Sequence, residues 1–250
     1  MENINNSYFD GYYKDIWRTI MPAELTIKET DFMLQSLDLQ PGNKVLDLMC
    51  GFGRHAMALA KKGVQVTAVD NLEEYIDEIN AIAAREELAV EAVRADIISY
   101  QPTGVYDLAL CMGNSLCFFD RTDTIKLLKR VAEHLKPGGY FLINTWMLAE
   151  IVFQDFRERS WSEINGLKYI TESKFMLQPS RIETDHLILA PGGKTETKKA
   201  VDYIYSIAEM ELILSETGFI MKEIYSIPGR KRFTLGEPRA YIVAEKKPAF

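Results

Sequence analysis

The residues that can do chemistry gather around one glycine turn. The segment VLDLMCGFGRHA at residues 45–56 puts Gly51 and Gly53 on the step from a short apolar run into a helical one. Glycine there permits a left-handed backbone and lets a ligand approach the main chain closely. The helix start beyond it offers free N–H groups. Gly51-x-Gly53-x-x-Ala56 also satisfies the dinucleotide fingerprint, so a nicotinamide-dependent oxidoreductase is one reading. Asp47 points elsewhere. It stands inside the apolar run, where a carboxylate is costly without a cation or several donors. A pyrophosphate would be repelled there, whereas a ligand carrying an ammonium group would be held. Asp70 closes the next apolar run, where an acid can accept both hydroxyls of a ribose. Asp96 closes the third, with Ile97 beside it, placed for an adenine amino group and ring. Each aspartate alone reads as a turn or cap residue. Together they describe a ligand with an amine, a ribose and an adenine.

Regular alternation of strands and helices must position these groups. Strands are expected at 44–49, 64–70, 90–96, 106–112 and 140–146, with helices at 24–38, 54–62, 72–86 and 122–135 between them. The helix at 72–86 carries Tyr75, Ile76, Ile79, Ile82 and Ala83 on one face. The strand at 106–112 is almost continuously apolar, as in a parallel sheet. This is an α/β chain with a doubly wound, mostly parallel sheet. The pattern breaks near residue 150. Runs at 167–177, 181–190 and 195–206 read as a three-stranded antiparallel meander. A helix at 208–217 and strands at 219–227 and 239–246 then resume the core. Three units follow: an aromatic arm at 1–22, a core at 23–150 and 207–250, and an antiparallel β insertion at 151–206.

Composition narrows the rest. The chain has 250 residues, 47% hydrophobic and 26% charged, with net charge −7. That apolar content, with 15 glycines and 9 prolines, is unlike a disordered or collagen-like chain. The acidic balance argues against nucleic acid as the partner. No apolar run reaches the roughly 18 residues of a membrane span, and the polar start MENINNSYFDGYY does not read as a signal peptide. Cys50, Cys111 and Cys117 make no disulfide framework, so a reducing cytoplasm is the expected compartment. His55, His134 and His186 lack metal-ligand spacing, and no metal centre is expected.

As a set, these motifs resemble the class I S-adenosylmethionine-dependent methyltransferases. The match runs through Asp47, Cys50, Gly51 and Gly53, then Asp70, Asp96, Tyr106–Leu110 and Leu135–Gly139. It ends on Glu211, Thr217-Gly218-Phe219 and Ala240–Ala244. The resemblance covers roughly residues 40–146 and 207–247. It implies a Rossmann-like seven-stranded sheet, parallel except for one strand, Arg239–Lys246. It also implies S-adenosyl-L-methionine as cofactor and in-line transfer of its methyl group to a small-molecule acceptor, such as an amine nitrogen. Under it, the cofactor-binding candidates are Asp47, Met49, Cys50, Gly51, Gly53, Asp70, Asn71, Leu72, Asp96, Ile97, Cys111, Met112 and Gly113. From the arm, Tyr13 and Trp17 would face the sulfonium and Arg18 the methionine carboxylate. Asn114, Ser115 and Tyr13 are candidates for positioning the reacting groups. Asn114, Phe118, Trp146, Tyr203 and Tyr205 are candidates for the acceptor pocket. Two departures stand out. Phe52 occupies a position that is usually small or polar, and Asp202-Tyr203-Ile204-Tyr205-Ser206 lacks the Arg that many relatives carry before Tyr-Ser.

The insertion is expected to cover the acceptor or, through an exposed strand edge, to join two copies as a homodimer. A non-catalytic cofactor-binding module remains a further reading, since a fold does not fix an activity.

Overall fold

A computed structural model describes residues 3–248. Met1 and Glu2 of the expected arm, and Ala249 and Phe250 of the core, lie outside the described residues. The arm opens with a short 3-10 turn, Ile4–Ser7, then α1 (Gly11–Ile20). Pro22, unable to donate a backbone hydrogen bond, precedes α2 (Ala23–Ser36). The alternating series follows: β1 (Lys44–Leu48), α3 (Arg54–Ala60), β2 (Gln65–Asp70), α4 (Glu73–Arg85), β3 (Val90–Arg94), β4 (Tyr106–Cys111), α5 (Arg121–His134) and β5 (Leu135–Thr145). Next come α6 (Ala149–Asp155), β6 (Arg159–Ile164), β7 (Leu167–Leu177), β8 (Ser180–Leu189) and β9 (Thr195–Tyr203). The chain closes with α7 (Ile207–Glu216), β10 (Phe219–Ile227), β11 (Lys231–Arg232) and β12 (Ala240–Lys246).

The main sheet has the order β11-β10-β12-β5-β4-β1-β2-β3. β1 pairs in parallel with β2 and β4, β2 with β3, and β4 with β5. β12 runs antiparallel to both β5 and β10, as expected for Arg239–Lys246. An eighth strand, β11, is the two-residue tip of a hairpin. Two apolar cores cover the two faces. Leu46 and Leu48 join the one under α5 and α7, and Val45 the one under α2 and α3. Asp47 alternates with Leu46 and Leu48, so it shares a face with Val45. Its register partners are Ala68 on β2 and Leu110 on β4.

The insertion is a separate four-stranded antiparallel sheet, β6-β7-β8-β9. The expected three strands are present and β6 is added. Its sequence RSWSEI lacks a clean apolar alternation because it is an exposed edge paired only to β7. The short helix α6 was also not anticipated, and neither was the start of β5 at Leu135. There the Lys136–Gly139 turn signal sits in an irregular stretch of the β4–β5 ladder.

Candidate active site

The glycine turn is coiled by backbone hydrogen bonds and by one carboxylate. Met49, Gly51 and Gly53 all have positive φ, at 53°, 56° and 74°. Asp70, at the end of β2, accepts the Gly51 N–H at 2.8 Å and the Leu72 N–H at 3.0 Å. It thereby fastens the turn after β1 to the start of α4. Burial pushes the Asp70 carboxyl above its usual range, and the N–H groups of Leu72, Gly51 and Asn71 pull against that. Gly53 has a packing reason as well: a Cβ there would lie 2.7 Å from the Ile79 side chain on α4.

Asp47 is 1% exposed, and among the described residues its Oδ2 has no hydrogen-bond partner. Burial pushes its carboxyl up to about 7, with Asp70 pushing the same way and Arg54 pulling down. Arg54 does not resolve the problem, because its guanidinium is committed elsewhere. Its Nη1 donates to Glu29 Oε2 at 2.6 Å and to Thr26 Oγ1 at 2.9 Å. Glu29, 1% exposed on α2, also accepts from His55 Nε2 at 2.8 Å and from the Tyr241 hydroxyl at 2.7 Å. Burial raises the Glu29 pKa, but the His55 hydrogen bond and the Arg54 charge outweigh it and hold the carboxyl at about 2. His55 itself is pushed down by burial and by Arg54, so its neutral ring donates to Glu29. One buried carboxylate is fully satisfied by the protein and the neighbouring one is left open.

A cavity of roughly 900 Å³, counting its part open to solvent, lies over the carboxyl ends of these strands. Asp47, Met49, Cys50, Gly51, Asp70 and Asn71 line one side of it. Asp96, Ile97, Met112, Gly113, Ser115 and Phe118 line the other. Asp96 also caps its turn, accepting from the Ile98 and Ser99 N–H groups with Oδ1. Gly113 has φ 69°, and a Cβ on it would lie 3.0 Å from the Trp17 ring. Trp17 lines the cavity, and with Asn3, Asn5, Asn6 and Phe9 it makes the arm the cavity's cover.

Side-chain amides dock the arm. Asn5 pairs with β9 as a strand residue would: its Oδ1 accepts the Val201 N–H at 3.0 Å and its Nδ2 donates to the Val201 carbonyl at 2.8 Å. Asn71 donates to the Asn6 carbonyl at 2.8 Å. Asn5 and Asn6, together with Phe9 and Tyr75, are lining residues that the sequence does not mark as site residues. Their signal was weak, since lone asparagines in a polar arm read as solvated.

Several expected site residues do not line the cavity. Gly53 and Leu72 shape its wall from behind, as the N-caps of α3 and α4. Cys111 is fully buried behind it. Tyr13 turns away into a cluster with Tyr8, Tyr169 and His186, because the apolar face of α1 packs on the insertion. Arg18 is paired twice with Glu78 on α4, at 2.8 and 2.7 Å, and lies 4.8 Å over the Phe52 ring, so its charge closes the outer rim. Tyr205 donates to the Phe119 carbonyl at 3.0 Å, a structural bond, and Tyr203 is half-buried away from the cavity. Trp146 sits beside the arm, 6.2 Å from Trp17 between ring centres. Asn114 is buried behind Gly113, with φ 72°.

Comparison with known proteins agrees with this geometry. Residues 45–139, from β1 into β5, match the model of the methyltransferase domain family. A ubiquinone biosynthesis O-methyltransferase of Rickettsia canadensis is 28% identical over 181 residues, covering 69% of this chain and 71% of that protein. An S-adenosylmethionine-dependent methyltransferase of Clostridium acetobutylicum superposes with TM-score 0.81 at 19% identity, covering 94% of this chain and 96% of the other. The amino pentose methyltransferase CalS10 of Micromonospora echinaspora, solved with S-adenosylmethionine bound, superposes at 0.70 and 15% identity, covering 95% and 98%. The likeness to these two structures is one of fold. With the glycine turn, the aspartates near successive strand ends and the sheet order, these matches identify residues 45–139 as a methyltransferase domain and support a class I S-adenosylmethionine-dependent methyltransferase.

Proposed function

We propose that the chain methylates an amine nitrogen of a small molecule held under the arm. One observation carries this reading: residues 3–20 lie across the cavity and are fastened on both sides, to Asn71 on the core and to Val201 on the insertion. A site covered this way admits a small acceptor and excludes water and polymers. A solved protein of this fold, KedS8, is named a sugar N-methyltransferase, which supports a nitrogen acceptor.

When bound, the cofactor supplies a methyl group on a positively charged sulfur, already a good leaving group. This chain's residues do the holding. Asp47, lacking a partner for Oδ2, is the group for the methionine ammonium. Asp70 keeps lone pairs free for ribose hydroxyls after serving Gly51 and Leu72. Asp96 and Ile97 flank the adenine end. Trp17, Phe9 and Phe118 give ring faces that favour a cation and keep the site dry. Much of the rate then comes from alignment.

Calorimetry with S-adenosylhomocysteine, followed by methyl release from labelled cofactor across matched amines and alcohols, tests this. Binding of the nucleoside with transfer only to amines is expected. Transfer only to alcohols would overturn the nitrogen assignment, and absence of nucleoside binding would overturn the site.

A further inference from the structure

A second carboxylate with a single side-chain partner lies outside the cofactor residues. Along β9, Lys198, Ala200 and Asp202 share the inner face of the insertion sheet, since alternate strand residues face the same way, and Ile204 continues that alternation just past the strand end. Asp202 stands opposite Ile182 on β8, between buried Ala200 and buried Ile204. A charged group on the covered face of a sheet needs a partner. Among the described residues it has one hydrogen bond, from Asn114 Nδ2 at 3.3 Å, and no ion pair. Burial alone pushes its carboxyl up to about 7, with no cation pulling it back. The residue as a whole is half-buried, so part of it stays accessible.

The placement of that open carboxylate is fixed from two sides. Asn114 Oδ1 accepts from Thr145 Oγ1 at 2.9 Å and from the Trp146 N–H at 3.0 Å. Those donors settle the amide orientation, so Nδ2 is held towards Asp202. Asn114 follows Gly113, a wall residue of the cofactor cavity. On the other side, Val201 is joined to Asn5, another wall residue. Asp202 is therefore beside the cavity rim without being part of the wall that Asp47 belongs to.

The groups facing it bring no positive charge. Tyr13 on α1 and Tyr169 on β7 are both kept protonated by burial, as is Cys117 after β4, and Asp202 pushes each further the same way. His186 on β8, stacked on Tyr169 rather than on Asp202, is kept neutral by burial, its pKa falling to about 4. The cofactor's single amino group serves Asp47. The second open carboxylate calls for a second cation.

We propose that Asp202 receives the acceptor's ammonium group and takes its proton. The N–H bond breaks, the proton goes to a carboxylate oxygen of Asp202, and the nitrogen keeps the electron pair with which it attacks the methyl group. Asn114 is a positioning residue, holding the carboxylate from behind. This assignment rests on the nitrogen-acceptor reading above and names its recognition group.

The test uses the full chain, labelled with ¹³C at aspartate carboxyls and loaded with S-adenosylhomocysteine. The Asp202 resonance is identified by its loss in Asp202→Asn. Methylammonium and dimethylammonium are the probes, with methanol as the uncharged control. A saturable shift of the Asp202 signal with the two ammonium ions and none with methanol is expected. An unresponsive signal, or an equal response to methanol, overturns the assignment. Asp202→Asn keeps shape and removes charge. It should bind S-adenosylhomocysteine as the parent does and lose about a hundredfold in kcat/KM for amine acceptors. If it instead weakens S-adenosylmethionine while sparing S-adenosylhomocysteine, the carboxylate serves the sulfonium and the proposal is wrong. Failure of the parent to bind the nucleoside at all would be a failure of the cofactor site, separate from Asp202.

Discussion

Replacing Asp47 with Asn should stabilise the ligand-free protein while crippling its affinity for the cofactor. Burial raises the Asp47 carboxyl from 3.8 to about 7. A shift of about three units corresponds to about 4 kcal/mol at roughly 1.36 kcal/mol per unit. The folded-state pKa lies above the unfolded one, so folding favours the protonated acid. The cost is absent below the unfolded pKa of 3.8, grows as pH rises, and is complete above about 7. Asn carries no charge and avoids it. In urea unfolding, Asp47→Asn should therefore exceed the parent by a few kcal/mol at about pH 8 and match it near pH 4. Binding tells the opposite story. Losing the carboxylate that faces an ammonium typically costs about 2–5 kcal/mol, so calorimetry should show S-adenosylhomocysteine affinity falling by about thirtyfold or more. The parent should also release a proton on binding below about pH 7, because the incoming cation keeps Asp47 ionised. A variant no more stable than the parent at high pH, with undiminished affinity, would refute the idea that this carboxylate waits for a charge from outside.

Other perturbations separate holding the fold from holding the ligand. Glu29→Ala strands Arg54, His55 and Tyr241 together and should cost about 3–5 kcal/mol by urea unfolding. Glu29 has a lowered pKa, so its contribution is present above the unfolded value of 4.5 and disappears as pH falls through about 2. Asp70→Ala should harm folding as well as nucleoside binding, because Gly51 and Leu72 lose their acceptor, whereas Asp70→Asn should spare more of the fold than of the affinity. Gly113→Ala places a methyl 3.0 Å from Trp17 at a φ of 69°. That should cost about 1–2 kcal/mol of backbone strain and displace the arm, read as faster hydrogen exchange in α1 and lower turnover.

The sheet and its glycine turn were legible because their signals are local. Asp47, Asp70 and Asp96 sit at fixed places relative to apolar runs, and the strand period alone puts them at one end of the sheet. Residues whose role depends on docking were not legible. Tyr13 and Trp17 lie one helical turn apart on α1, yet Trp17 reaches the cavity and Tyr13 packs under the insertion. Glu29 reads as an ordinary charge on an amphipathic helix. Its partner Tyr241 lies 212 positions along the chain, so nothing in its neighbourhood reveals the buried network. β6 escaped notice because an edge strand with one solvated face and one partner needs little apolar pattern.

The outer seam of the arm is ionic: Lys14 reaches Glu74, Arg18 reaches Glu78, and Lys198 holds Asp10. The more exposed of these pairs, Lys14–Glu74 and Arg18–Glu78, are weakened by dissolved ions once the Debye length shrinks to about 8 Å or less. The asparagine contacts and the aromatic packing beneath are far less sensitive. Rising ionic strength should thus unzip the rim before it disturbs the inner cluster. A turnover cycle limited by departure of the spent nucleoside would quicken in brine, while capture of scarce cofactor would suffer. The latch is tuned by its surroundings as much as by its sequence.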